Sequence, residues 1–212
     1  MSENVIVADA GFVNKVAFDL IVNFERMLGR RIPQADMARW VECVALDGGL
    51  REKQPAGGDS TDKGNTQTDV ILVHDRELKE MDNFSPGRFD GELDGKAFRG
   101  RLGEFSFSAP CGEAIVSTED LFLDTLQTVL QQKEVRRLMV IPDDRLYNSV
   151  REIIRRADGA ERGYDDASAA MRHVTVFAMQ PMAGGPFRQE ILGYSLMAAL
   201  GIRSEEINAI SK

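Results

Sequence analysis

The chain has 212 residues, 43% of them hydrophobic and 28% charged, and a formal net charge of −8. That length can bury one sizeable core, so residues 1–212 are expected to form a single domain, and the ordinary composition excludes a disordered or collagen-like chain. The acid excess counts against tight non-specific binding of polyanions, and no apolar run reaches the roughly 18 residues of a membrane span.

Two cysteines, Cys43 and Cys111, form no metal-spaced motif and are expected to be buried thiols in a reduced, cytoplasmic setting. Two histidines, His74 and His173, leave too little for a zinc site or a histidine-based triad. Met1–Asn4 has no basic region ahead of its apolar run, so no secretory signal is expected.

Val5-Ile6-Val7-Ala8 reads as a buried strand ending at Asp9. A helix is predicted from about Asn14 to Leu28, where Val16, Leu20, Ile21, Phe24, Met27 and Leu28 make one stripe and Gly29 stops it. A second helix is predicted from Pro33, burying Met37, Trp40, Val41 and Val44, and Leu46–Gly49 closes it. Residues 51–68 are polar and glycine-rich and are expected to form a mobile surface loop.

Val70–Val73 reads as a second buried strand ending at His74-Asp75, followed by a short charged helix over Arg76 to Met81. Turn residues punctuate 84–110, and Phe105 and Phe107 alternate with serines, which predicts an irregular hairpin or flap with a strand near Glu104 to Ala109. Ser117-Thr118-Glu119-Asp120 has the form of a helix start, and its helix is expected to run to Gln132. A strand follows over Arg137–Ile141, then a helix to Ala157 that Asp158-Gly159 ends. A polar connection over Ala160–Met171, a strand over His173–Met179, a helix from Phe187 to Leu200 and a turn capped by Ser204 complete the chain.

Apolar strands alternating with helices predict a three-layer α/β/α architecture with a mostly parallel sheet. In such a sheet the carboxyl ends of the strands gather at one crevice. Asp9, Asp75, Asp143 and Asp144 stand at those ends, and Asp120 or Asp124 on the helix after Ser117 is expected over the same edge. Converging carboxylates repel unless protons or a cation neutralise them, and oxygen ligands suit Mg or Mn. From Lys133 to Arg156 seven cations stand among four acids, which reads first as a solvated helix face and, on a sharper reading, as a basic rim beside the acids.

Asp9 after the first strand, Asp124 in a helix, Leu138-Met139-Val140 as strand, Ile141-Pro142-Asp143-Asp144-Arg145-Leu146 as turn, then Gly159 and Val174–Phe177 follow a familiar order. In that order the chain resembles the NYN domain of the PIN-like nucleases, over about half its length. The resemblance implies a Rossmann-like PIN fold, and the sequence is also similar to an uncharacterised bacterial family. It also implies an Mg- or Mn-dependent ribonuclease or phosphodiesterase, with Asp9, Asp124 and Asp143 as catalytic and metal-binding acids. Asp120 and Asp144 would be auxiliary ligands, Arg145 and Arg151 substrate contacts, and single-stranded RNA or a nucleotide the partner.

The chain departs from the family pattern at Ile141-Pro142, where Ser-Gly is usual, and at Arg145, where a second acid falls. Those departures support the alternative of a catalytically inactive α/β module that binds a protein, a second copy or a small ligand. The plain reading of Asp9 and Asp143 is helix capping, and that of His74 is a structurally satisfied ring.

Overall fold

The computed structural model describes residues 1–52, 66–112, 116–162 and 172–210. In chain order the strands are β1 (Asn4–Asp9), β2 (Ala35–Asp36), β3 (Gln67–Val73), β4 (Phe84–Ser85), β5 (Ala97–Gly100), β6 (Gly103–Ser108), β7 (Arg137–Ile141), β8 (His173–Ala178) and β9 (Arg188–Ile191). The helices are α1 (Ala10–Leu28), α2 (Met37–Asp47), α3 (Thr118–Gln131), α4 (Tyr147–Arg162), α5 (Leu192–Ala199) and α6 (Ser204–Ile210). Seven strands form one sheet in the order β5-β6-β3-β1-β7-β8-β9, parallel throughout except at the β5–β6 hairpin. The two short strands β2 and β4 pair apart from it.

Alternation of side chains along each strand splits the core into two layers. On one face Ile6, Ala8, Leu72, Met139 and Phe177 pack with Val13 and Val16 of α1, Trp40 and Val44 of α2 and Leu196 of α5. On the other, Val5, Val7, Val73, Leu138 and Val140 pack with Phe122 and Leu126 of α3 and Val150 and Ile154 of α4. This is the expected three-layer α/β/α arrangement. The chain leaves β1 through α1 on the first face and enters and leaves β7 through α3 and α4 on the second. The strand order therefore reverses between neighbours β1 and β7, which opens a crevice beyond their carboxyl ends.

The predicted hairpin is present as β5–β6, and it extends the sheet instead of standing off it: β6 pairs in parallel with β3, and Phe89, Leu93, Phe105 and Phe107 are buried. His74 ties this region down. Its ring stacks on Phe89 at 3.8 Å between centroids, with Nδ1 2.8 Å from Asp75 O and Nε2 3.2 Å from Ala109 O.

Several predicted boundaries differ. Helix α1 starts at Ala10 rather than Asn14, because Asp9 already caps it. Helix α2 starts at Met37 rather than Pro33, because Asp36 accepts from Arg39 N at 3.0 Å. No helix forms over Arg76–Met81: Met81 N instead donates to Gly87 O and Phe84 N to Met81 O, stitching an irregular turn. Helix α4 runs through Asp158-Gly159 to Arg162. The helix predicted from Phe187 begins at Leu192, and Arg188–Ile191 is the edge strand β9, four residues too short and too polar to show a period. Cys43 is half-buried and Cys111 exposed, so neither is a fully buried thiol.

Most of the predicted 51–68 loop (residues 53–65) and most of the 160–171 connection (163–171) lie outside the described residues. No helix among the described residues is long and apolar enough to cross a membrane.

Candidate functional site

The crevice between β1 and β7 is built by two aspartates that end their strands. Asp9 is half-buried and caps α1, its carboxylate accepting from Phe12 N at 2.9 Å. Burial pushes its carboxyl up, and the Asp143 charge adds to this. The Phe12 N–H and Arg145 pull the other way. Asp143 opens the 3-10 turn Asp144–Leu146 after β7. It is the more dominated of the two by a cation.

That cation is Arg145. Its Nε lies 3.0 Å from Asp143 Oδ1 and its Nη2 2.9 Å from Asp143 Oδ2, a two-pronged fork, and Arg145 N adds a bond of 2.8 Å to Oδ1. The fork holds the Asp143 carboxyl below the usual carboxylate range, although partial burial opposes it. The third prong, Nη1, lies 3.3 Å from Glu119 Oε1. Asp143 is 17% exposed and Arg145 73%, so the carboxylate is sheltered and its guanidinium partner faces solvent. Lys15, paired with Asp19 at 2.7 Å, also acts on Asp143. Asp144 is pushed up by burial and by the Asp143 charge, while a hydrogen bond from the Met179 backbone pulls it down.

Glu119 reaches the crevice because the start of α3 is fastened to the end of β3. Thr118 Oγ1 donates to Asp75 Oδ2 at 3.3 Å, and Asp75 Oδ1 accepts from Glu77 N at 2.8 Å. Ser117 caps α3 by accepting from Asp120 N at 3.1 Å, and its hydroxyl donates back to Asp120 Oδ2 at 2.7 Å. That reciprocal box occupies Asp120. Asp124 is exposed one turn further on, away from the buried side of Phe122, Leu126 and Val129.

Asp9, Asp143 and Asp144 stand together at the strand ends, whereas Asp120 is engaged by Ser117 and Asp124 is exposed on α3. Arg145 is at the centre, and Arg151 lies a turn into α4, near the Tyr147 phenol. Glu119 and Lys15 also act at this site and are not among the acids and arginines expected there. The signal for Glu119 was its position in the first turn of a helix whose start the Ser117 cap marks.

The donor set does not fit a hydrated Mg or Mn ion, because both Asp143 oxygens already accept from the Arg145 fork. Among the described residues no group of three or more His, Cys, Asp or Glu side chains is placed to hold a metal. What the arrangement offers chemically is a solvent-facing guanidinium held by two carboxylates, beside half-buried Asp9 and Asp144. A ligand anion can exchange onto Arg145, and ligand hydroxyls or amines can donate to the aspartates.

No curated protein and no solved structure matches the chain. Residues 1–207 match a family model described as a family of unknown function, and the chain belongs to that family, DUF6621.

Proposed function

We propose that this chain is a catalytically silent α/β binding module of nuclease-like build, which takes a nucleotide or similarly polar small ligand at the β1–β7 crevice. The observation that carries this reading is the Arg145 fork on Asp143, continued to Glu119. An internal guanidinium takes the role a divalent cation would have among these acids, and it leaves no open coordination position for activating water. The reversal of strand order at β1 and β7 supports a ligand at this edge, since open α/β sheets bind small molecules there.

The competing reading is the Mg- or Mn-dependent ribonuclease. It is favoured by Asp9 and Asp143 acting on each other across the crevice, with Glu119 arriving on the helix. Two measurements separate them. A metal-free thermal-shift panel of nucleoside mono- and triphosphates is expected to raise the melting temperature of the wild type and not of Arg145→Ala. Incubation with single-stranded RNA and Mn²⁺ is expected to leave the RNA intact. Cleavage that Asp143→Asn abolishes would overturn the binding-module reading in favour of the nuclease.

A further inference from the structure

The opposite edge of the sheet carries a second candidate site, independent of the reading above. Strand register pairs Arg137 with His173 and Thr175 with Arg188, so these four side chains share one face where β7, β8 and β9 begin. The C-terminal end of α2 lies over that face. Between them is a cavity of about 240 Å³, lined by Gly48, Gly49, Arg137, His173, Thr175 and Arg188. Gly49 has φ +91°, and a Cβ there would come within 2.9 Å of Arg137 Nη1. The glycine lets the guanidinium approach the helix end.

Charge around this cavity is unbalanced. Arg137 Nη1 donates to Gly48 O at 3.0 Å, but its Nε is buried and has no hydrogen-bond partner. Among the described residues no carboxylate pairs with Arg137. The charge that acts on it is another cation, Arg51, whose Nη1 donates to Leu46 O at 2.7 Å and Leu50 O at 2.6 Å. Burial, then Arg51, pushes the Arg137 pKa down. The acids present are Glu190, which pairs with Arg188, and Asp47, which faces Glu190, Arg188 and Arg51. Arg172, also at the wall, is spent on three carbonyl oxygens at the end of α3.

Capping of α2 explains the Arg137 Nη1 contact and the position of Arg51. It leaves the Arg137 guanidinium with one carbonyl acceptor and no carboxylate among the described residues, at the wall of a cavity that Arg188 and His173 also line. A tetrahedral oxyanion suits such a cluster, because guanidinium groups take phosphate through paired N–H donors.

We propose that this cavity binds a phosphoryl group, with the outer nitrogens of the Arg137 guanidinium as the central donors and Arg188 and His173 at the rim. Tyr147, which donates to Ala183 O at 2.8 Å and accepts from Gln189, braces β9 from the other face and keeps Arg188 in place.

Isothermal titration of the full chain with inorganic phosphate and with pyrophosphate, at low ionic strength and without metal, tests this. One site per chain is expected, tighter for pyrophosphate, and weakened by about tenfold or more in Arg137→Gln and in Arg188→Gln. Arg137→Gln also removes a cap from α2, so Arg188→Gln, at an exposed edge residue, keeps the result independent of folding. No binding at about 10 mM of either probe overturns the proposal. So does unchanged affinity in Arg188→Gln, or an equal response to succinate, which would mark a general anion patch. Binding lost in Arg145→Gln but kept in Arg188→Gln would place the anion at the carboxyl edge and overturn it too.

Discussion

The two ends of the sheet carry opposite charge for one reason. In a parallel α/β sheet helices begin near the carboxyl edge and end near the amino edge, and their dipoles attract acids to the first and arginines to the second. Asp9 and Asp143 gather above β1 and β7 as caps. Arg51 and Arg137 gather below on α2 carbonyls, and Arg172 on α3 carbonyls. A cluster of like charge at either edge is therefore the expected product of the fold and no sign of chemistry by itself. The informative residue is the one whose charge is not answered. At the carboxyl edge Asp143 is answered by Arg145, whereas at the amino edge Arg137 Nε is not answered.

The amino edge should hold the larger single stability effect. Arg172 donates from Nε to Val135 O at 3.0 Å, from Nη1 to Leu130 O at 2.6 Å and from Nη2 to Gln132 O at 2.7 Å. Arg172→Ala leaves the end of α3 without these charge-assisted bonds and is expected to cost about 2–4 kcal/mol by urea unfolding. A loss below about 0.5 kcal/mol would show that the end of α3 is held by water as well as by Arg172.

At the carboxyl edge Asp9 separates capping from charge. Asp9→Ala removes the acceptor for Phe12 N and should cost about 1 kcal/mol, whereas Asp9→Asn keeps an acceptor. The folded-state pKa of Asp9 is raised by burial, so its contribution is full at low pH and is lost as pH rises through that raised value. Asp9→Asn should then match the wild type near pH 3 and exceed it by a few tenths to about 1 kcal/mol at pH 7. A less stable Asn variant at pH 7 would mean that the charge itself is needed there, for a cation.

Asp143 has the opposite sign. Arg145 holds its carboxyl down, so the pair contributes at neutral pH and its contribution fades as pH falls through the depressed value. The difference in melting temperature between wild type and Arg145→Ala should be small at pH 7, since the guanidinium is exposed, and should fade as pH falls through the depressed value. A difference that does not fade with falling pH would assign the effect to Arg145 packing rather than to the fork.

Much of this plan was legible beforehand, and the failures have physical causes. Continuous apolar runs such as Val5–Ala8 and Leu138–Ile141 cannot sit anywhere but inside a parallel sheet, so the layer order followed from them. Residues 188–191 misled because four residues beside an apolar helix carry no period of their own, and pairing with β8 decides their form. At the site, strand ends placed Asp9 and Asp143 correctly. Spacing cannot show that Arg145, two residues after Asp143, would turn back onto it. The span from Lys133 to Arg156 also mixes two sets of arginines, because sequence distance hides that Arg137 begins β7 and Arg145 lies beyond its other end.

The smallest expected effect is the sharpest test of which helix acid belongs to the crevice. Asp124 and Glu119 are both carboxylates on α3, five positions apart, and differ in what they face. Asp124 is exposed and contributes no contact to the crevice, so Asp124→Ala should change stability by less than about 0.5 kcal/mol and leave ligand-induced melting shifts unaltered. Glu119 holds the outer prong of Arg145 at 3.3 Å, so Glu119→Gln should free that guanidinium and change those shifts without lowering stability. If Asp124→Ala instead weakens ligand or Mn²⁺ binding while Glu119→Gln does nothing, α3 must rotate in solution to present its other side. The carboxyl edge would then hold an acid set in need of an external cation, and the contrast between the answered and the unanswered edge would disappear.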